Sequence, residues 1–90
     1  MPTVIHIQQD VLSQEVSGET VLLNLNNESY FGLDPVGTRI WQLIKEHGDR
    51  QKIINTLLHE FDVTEEQLTK DVDQLLTRMT EAGLVDIHKD

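Results

Sequence analysis

VLLNLNNESYFGLDPVGTRIWQLI, residues 21–44, changes its hydrophobic period once, near residue 34, and so divides the chain into a strand-rich front and a helical back. Before the break, Val21, Leu23 and Leu25 recur at every second position, the mark of a half-buried β-strand. Asn26-Asn27-Glu28 makes a turn, because asparagine tolerates left-handed backbone angles and bonds its own backbone. SYFGL (29–33) is then a further strand. After the break, Asp34-Pro35 opens a helix: aspartate accepts backbone N–H groups as N-cap, and proline fits the first helical position. Val36, Ile40, Leu43 and Ile44 follow at helical spacing, with Trp41 alongside as a core residue, until Gly48 ends the run.

Upstream, VLSQEV (11–16) reads as a strand joined to TVLLNL (20–25) by a hairpin turn at Ser17-Gly18-Glu19. Residues 1–9 are either a flexible tail or an extra edge strand. Downstream, Asp49 caps a second helix whose buried side is Ile53, Ile54, Leu57, Leu58 and Phe61. The third helix carries the clearest start signal. Thr64 and Gln67 fit the capping box, and Val63 and Leu68 sit at the hydrophobic-staple positions. At 3.6 residues per turn, Leu68, Val72, Leu75, Leu76 and Met79 share one arc of roughly 100°. Gly83 is a natural stop, after which LVDI (84–87) returns as a short strand. The expected fold is α+β: one domain over residues 1–90, with a three-stranded antiparallel sheet followed by three helices and a tight turn around Asp62. That is a winged helix-turn-helix.

Composition narrows the function. Ninety residues suit one small domain, in which every apolar stripe is needed for one core. The absence of cysteine excludes disulfides, thiolate metal sites and a cysteine nucleophile. Sixteen acidic against seven basic residues, a net charge of −9, oppose binding to nucleic acid or anionic membrane. With no membrane-length apolar run and no signal-peptide layout at the N-terminus, a cytoplasmic location is expected.

No catalytic pattern emerges. His6, His47, His59 and His88 are scattered, with no metal-protease motif, no triad partner and no glycine-rich phosphate loop. The reading is therefore no enzyme, no metal and no cofactor. A winged helix ordinarily offers its last helix to the DNA major groove. Here residues 64–82 set Glu65, Glu66, Asp71, Asp73 and Glu81 against Lys70 and Arg78, so the charge opposes phosphate contact. Peptide recognition remains. Strand 29–33 runs straight into a helix and can present an unpaired edge to an extended peptide, with Gly32 allowing close approach. The residues alone favour the third-helix stripe as core over a groove, although its margins can line one. A structural domain that dimerises through the strand edge is the third class.

Residues 21–44 and DVTEEQLTKDVDQLLTRMTEAGLV (62–85) resemble the PqqD family. The likeness rests on an ordered set of features. These are an apolar strand, an asparagine or acidic turn, an aromatic before Gly32-Leu33, then Asp34, Gly37 and Ile40-Trp41. Asp62-Val63, Asp71-Val72 and Gly83-Leu84 complete it. The resemblance implies a RiPP recognition element, which binds the leader segment of a ribosomally made precursor peptide and presents it to a modifying enzyme. It also implies a site: the leader docks as a strand on Ser29, Tyr30, Phe31, Gly32 and Leu33. The wall beside it is drawn from Leu68, Asp71, Val72, Leu75, Leu76, Arg78 and Met79. Family members serve a separate lasso-peptide leader peptidase, or a radical-SAM enzyme in pyrroloquinoline quinone synthesis. The asparagine-rich turn followed by Tyr30-Phe31-Gly32-Leu33-Asp34-Pro35 looks more like the lasso type.

Overall fold

The computed structural model describes residues 3–89 as β1 (Thr3–Ile7), β2 (Val11–Val16), β3 (Glu19–Asn24), β4 (Ser29–Leu33), α1 (Pro35–Glu46), α2 (Arg50–Glu60), α3 (Glu65–Glu81) and β5 (Val85–Lys89). Strands β2, β3 and β4 form an antiparallel meander in that spatial order, and three helices follow in the winged helix-turn-helix layout. The β2–β3 turn is tight because Ser17 and Gly18 both take positive φ (53° and 80°), the conformation that matches strand twist in a two-residue hairpin.

Backbone polarity of the meander follows from one bond. Leu25 N–H donates to the Asp10 carbonyl at 2.9 Å, so the odd residues of β3 direct their main-chain groups at β2 and the even ones at β4. Ser29, Phe31 and Leu33 sit opposite Asn24, Leu22 and Thr20 and bond inward to β3. Tyr30 and Gly32 therefore point their N–H and C=O groups away from the sheet, into an edge that no other described strand occupies.

The side-chain parity of β3 differs from the sequence expectation. Thr20, Leu22 and Asn24 are buried, whereas Val21 and Leu25 are exposed and Leu23 is half-buried. The reason is tertiary. Asn24 turns inward because its Nδ2 donates to the Ala82 and Gly83 carbonyls at the end of α3 (3.1 and 3.3 Å). Leu12, Leu23 and Tyr30 consequently form a row across the outer face.

Residues 3–7 take neither the β4 edge nor any other edge of the meander. They pair antiparallel with β5, Thr3 opposite Lys89 through Ile7 opposite Val85, as a separate two-stranded sheet. Ile5 is buried there, and its N–H donates to the Gly48 carbonyl at 2.7 Å.

Each helix starts on a side-chain cap. Asp34 accepts from Gly37 N–H (2.7 Å), Asp49 from Lys52 N–H (3.1 Å) and Thr64 from Gln67 N–H (3.2 Å). The capping box at α3 is only half made, because Gln67 reaches forward to donate to Asp71 instead of back to the cap. At its other end, Leu84 N–H donates to the Met79 carbonyl and Gly83 N–H to Thr80, with Gly83 at φ 73°: a Schellman stop. The core joins Leu22 of β3 to Leu43, Ile53, Leu57, Val72 and Met79, with Trp41 among them. Each such side chain contributes ~1.5–3 kcal/mol by leaving water. Leu58 and Phe61 lie half-buried at the margin, since the chain at Phe61 has already left α2 in extended conformation.

Candidate functional site

The free edge of β4 opens onto a groove of about 440 Å³ floored by α1 and walled by α3. Two contacts orient the wall. Asn24, which faces Ser29 across the sheet, bonds the carbonyls that end α3, and farther along the Arg78 guanidinium lies 5.1 Å from the centroid of the Phe31 ring. The end of α3 therefore lies beside the start of β4, and the helix runs antiparallel to the strand. Asp71, Gln74 and Leu75 line the same groove as Leu33 and Asp34.

Geometry sorts the residues expected from the sequence into two groups. Gly32, Leu33, Asp71, Leu75 and Arg78 line the groove, Leu75 half-buried and Asp71 and Arg78 exposed on its wall. Phe31 is half-buried beneath Arg78, and Ser29 and Tyr30 are exposed along the strand. Val72, Leu76 and Met79 instead belong to the interior, at 0%, 2% and 0% exposure, and Leu68 is buried with them. They support the wall from behind. Gly32 also has a different meaning from the one its type suggests. A Cβ there would meet nothing within 4 Å, and by parity it would project on the outer face with Tyr30.

The residues that sequence reasoning missed are Gln74 on the wall and Val36, Gly37 and Ile40 on the floor, together with the second role of Asp34. One signal was available: positions 71, 74, 75 and 78 follow the i, i+3, i+4, i+7 rule one residue behind the core stripe. Gly37 sits close to its neighbours: a Cβ there would stand 3.2 Å from Asp34 Oδ1 and 3.3 Å from Leu33 Cδ2, so those side chains would have to give by a few tenths of an ångström. Among the described residues, no cluster of three or more acidic or histidine side chains could hold a metal ion, and no helix is long and apolar enough to cross a membrane.

Chemically, the arrangement offers two things at once to an extended chain. The strand edge supplies ordered donors and acceptors, and the groove supplies an apolar strip of Leu33, Val36 and Leu75 bordered by charge.

Known proteins share this architecture. Residues 19–85 match the model of the family described as coenzyme PQQ synthesis protein D, PqqD. A comparison with curated proteins gave no match. A solved structure of TbiB1 in complex with the TbiA(beta) leader peptide is 32% identical, with a TM-score of 0.88 over 94% of this chain and 99% of that chain. Lasso peptide synthetase B1 complexed with the leader peptide, 18% identical, shares the fold, with a TM-score of 0.82 over 91% of this chain and 96% of that one. The family match runs from the first residue of β3 to the first of β5, across the whole groove, and the chain belongs to the PqqD family.

Proposed function

We propose that this protein is a non-catalytic, cytoplasmic adaptor that binds the leader segment of a ribosomally synthesised precursor peptide and delivers it to a modifying enzyme. The observation that carries the reading is the unpaired edge of β4, where Tyr30 and Gly32 aim their main-chain groups outward beside the α3 groove. The leader adds there as a fourth strand, its alternate side chains entering the groove. TbiB1, which resembles this chain along nearly its full length, is held in its solved structure with a leader peptide, and this supports the assignment.

Energetics fit the role. A disordered leader loses ~1–2 kcal/mol of backbone entropy per fixed residue. Edge hydrogen bonds at ~0.5–1.5 kcal/mol each, and two or three buried side chains at ~1.5–3 kcal/mol each, offset that loss. Binding through this edge raises the local concentration of substrate at an enzyme that the adaptor also contacts. We favour a lasso-peptide leader peptidase as that enzyme, on the Asn26-Asn27 turn and the Tyr30-to-Pro35 run. The alternative, presentation to a radical-SAM enzyme in pyrroloquinoline quinone synthesis, is supported by the family's description. A further alternative is a winged-helix transcriptional regulator; of the seven charges on residues 64–82, five are negative, which disfavours it, and a gel shift at low salt tests it.

The test is titration of the isotopically labelled protein with the leader of its cognate precursor. The largest amide shifts are expected at Tyr30 and Gly32. Gly32→Pro removes an outward donor without touching the β3 ladder and should weaken binding at least tenfold, whereas Gly32→Ala should fold and bind normally. A folded Gly32→Pro protein with undiminished affinity would exclude strand addition at this edge.

A further inference from the structure

The groove carries separated charges of opposite sign. Two of the chain's arginines are committed: Arg39 holds Glu60 through two hydrogen bonds (2.8 and 2.7 Å), and Arg50 holds Asp73 in the same way (2.7 and 2.8 Å). Arg78 has no carboxylate partner among the described residues; its guanidinium rests over Phe31, exposed at the groove wall. Seven residues earlier, about 10.5 Å back along the helix axis, Asp71 accepts the Gln67 amide and pairs with no cation among the described residues. Asp34 lies in the groove with Asp71, at the end of β4. Leu75 sits between the two charges.

We infer that the groove selects peptides in which a lysine or arginine, an apolar residue and an acid occupy alternate positions, in that order from N- to C-terminus. This rests on strand addition to β4 and adds the chemistry of what is added. The meander is antiparallel throughout, and an antiparallel guest continues its ladder with the better hydrogen-bond geometry. Such a guest places its N-terminal part at Leu33–Asp34, where Asp71 and Asp34 face it. Paired residue for residue, it runs past Phe31 to Ser29, on the Arg78 side of the groove. Alternate residues of a strand share a face, so the groove reads positions i, i+2 and i+4. The span from i to i+4 is about 13 Å. The ~2.5 Å excess over the helix spacing is within reach of a long cationic side chain. The apolar residue at i+2 then meets Leu75 and Val36.

Two blocked twelve-residue peptides of identical composition test this order. One carries Lys-Thr-Leu-Thr-Glu at its centre, and the other Glu-Thr-Leu-Thr-Lys, each titrated at low salt into the labelled full chain. The first should bind about five- to tenfold more tightly, since each partly exposed charge contact is worth a few-fold. Its advantage should shrink on adding salt. The double variant Asp71→Lys, Arg78→Glu should invert the preference while keeping a dispersed spectrum. Equal affinities, or a preference for the second peptide, would overturn the charge order while the Tyr30 and Gly32 amide shifts left strand addition standing. If neither peptide moved those amides, the charge order would fall, while strand addition would stand or fall on the leader titration and Gly32→Pro.

Discussion

Three positions on α3 separate Val72, wholly enclosed, from Leu75, half-open to the groove, and substitutions should separate them as sharply. Val72→Glu places an unpaired carboxylate in the core and should abolish cooperative unfolding in a thermal melt. Leu75→Ser should leave a folded chain, less stable by about 1 kcal/mol, that binds its leader roughly tenfold more weakly by titration. A third residue ties stability to acidity. The hydrogen bonds from the Arg39 guanidinium hold the Glu60 carboxyl below the usual carboxylate range. The unfolded chain therefore takes up the proton first as pH falls. The pair's stabilisation is complete above the ordinary glutamate value of about 4.3 and is lost as pH drops through the lowered folded value. Because both partners are about one-third exposed, it is worth under ~1 kcal/mol. Urea midpoints of Glu60→Gln and the parent should differ slightly at neutral pH and converge in acid.

At the scale of elements, the meander and α3 depend on one another through Asn24. Asn24→Leu keeps the branched outline of the side chain but leaves the Ala82 and Gly83 carbonyls without their buried donor. A loss of ~1–3 kcal/mol by chemical denaturation is expected, with broadening of the α3 amides nearest Phe31. Asn24 also marks where the sequence stopped being legible. The hairpin at Ser17-Gly18, the caps Asp34, Asp49 and Thr64, and the stop at Gly83 could all be read in advance, because each is a contact among residues a few positions apart. Strand parity could not. An inward asparagine makes sense only once the end of α3, nearly sixty positions later, brings carbonyls to it. The groove was half legible for the same reason: its strand and wall followed from local pattern and family likeness. Its floor of Val36, Gly37 and Ile40 depends on how α1 lies against them.

Across the whole molecule, β1 and β5 bind the beginning of the described chain to its end, and Ile5 carries that ladder into the core. Removing residues 1–9 should therefore lower the denaturation midpoint markedly, by several kcal/mol in stability, from the lost Ile5 burial and strand pairing. The β4 edge should stay unpaired in the shortened protein, so leader affinity measured well below the new midpoint should be nearly unchanged. Because Thr3 and Lys89 are direct partners, a handle joined ahead of the one or behind the other departs from the same corner. A bead, a dye or a sensor chip attached at either extremity would tether the molecule by that one corner, so moving the attachment from head to tail would leave the displayed surface the same.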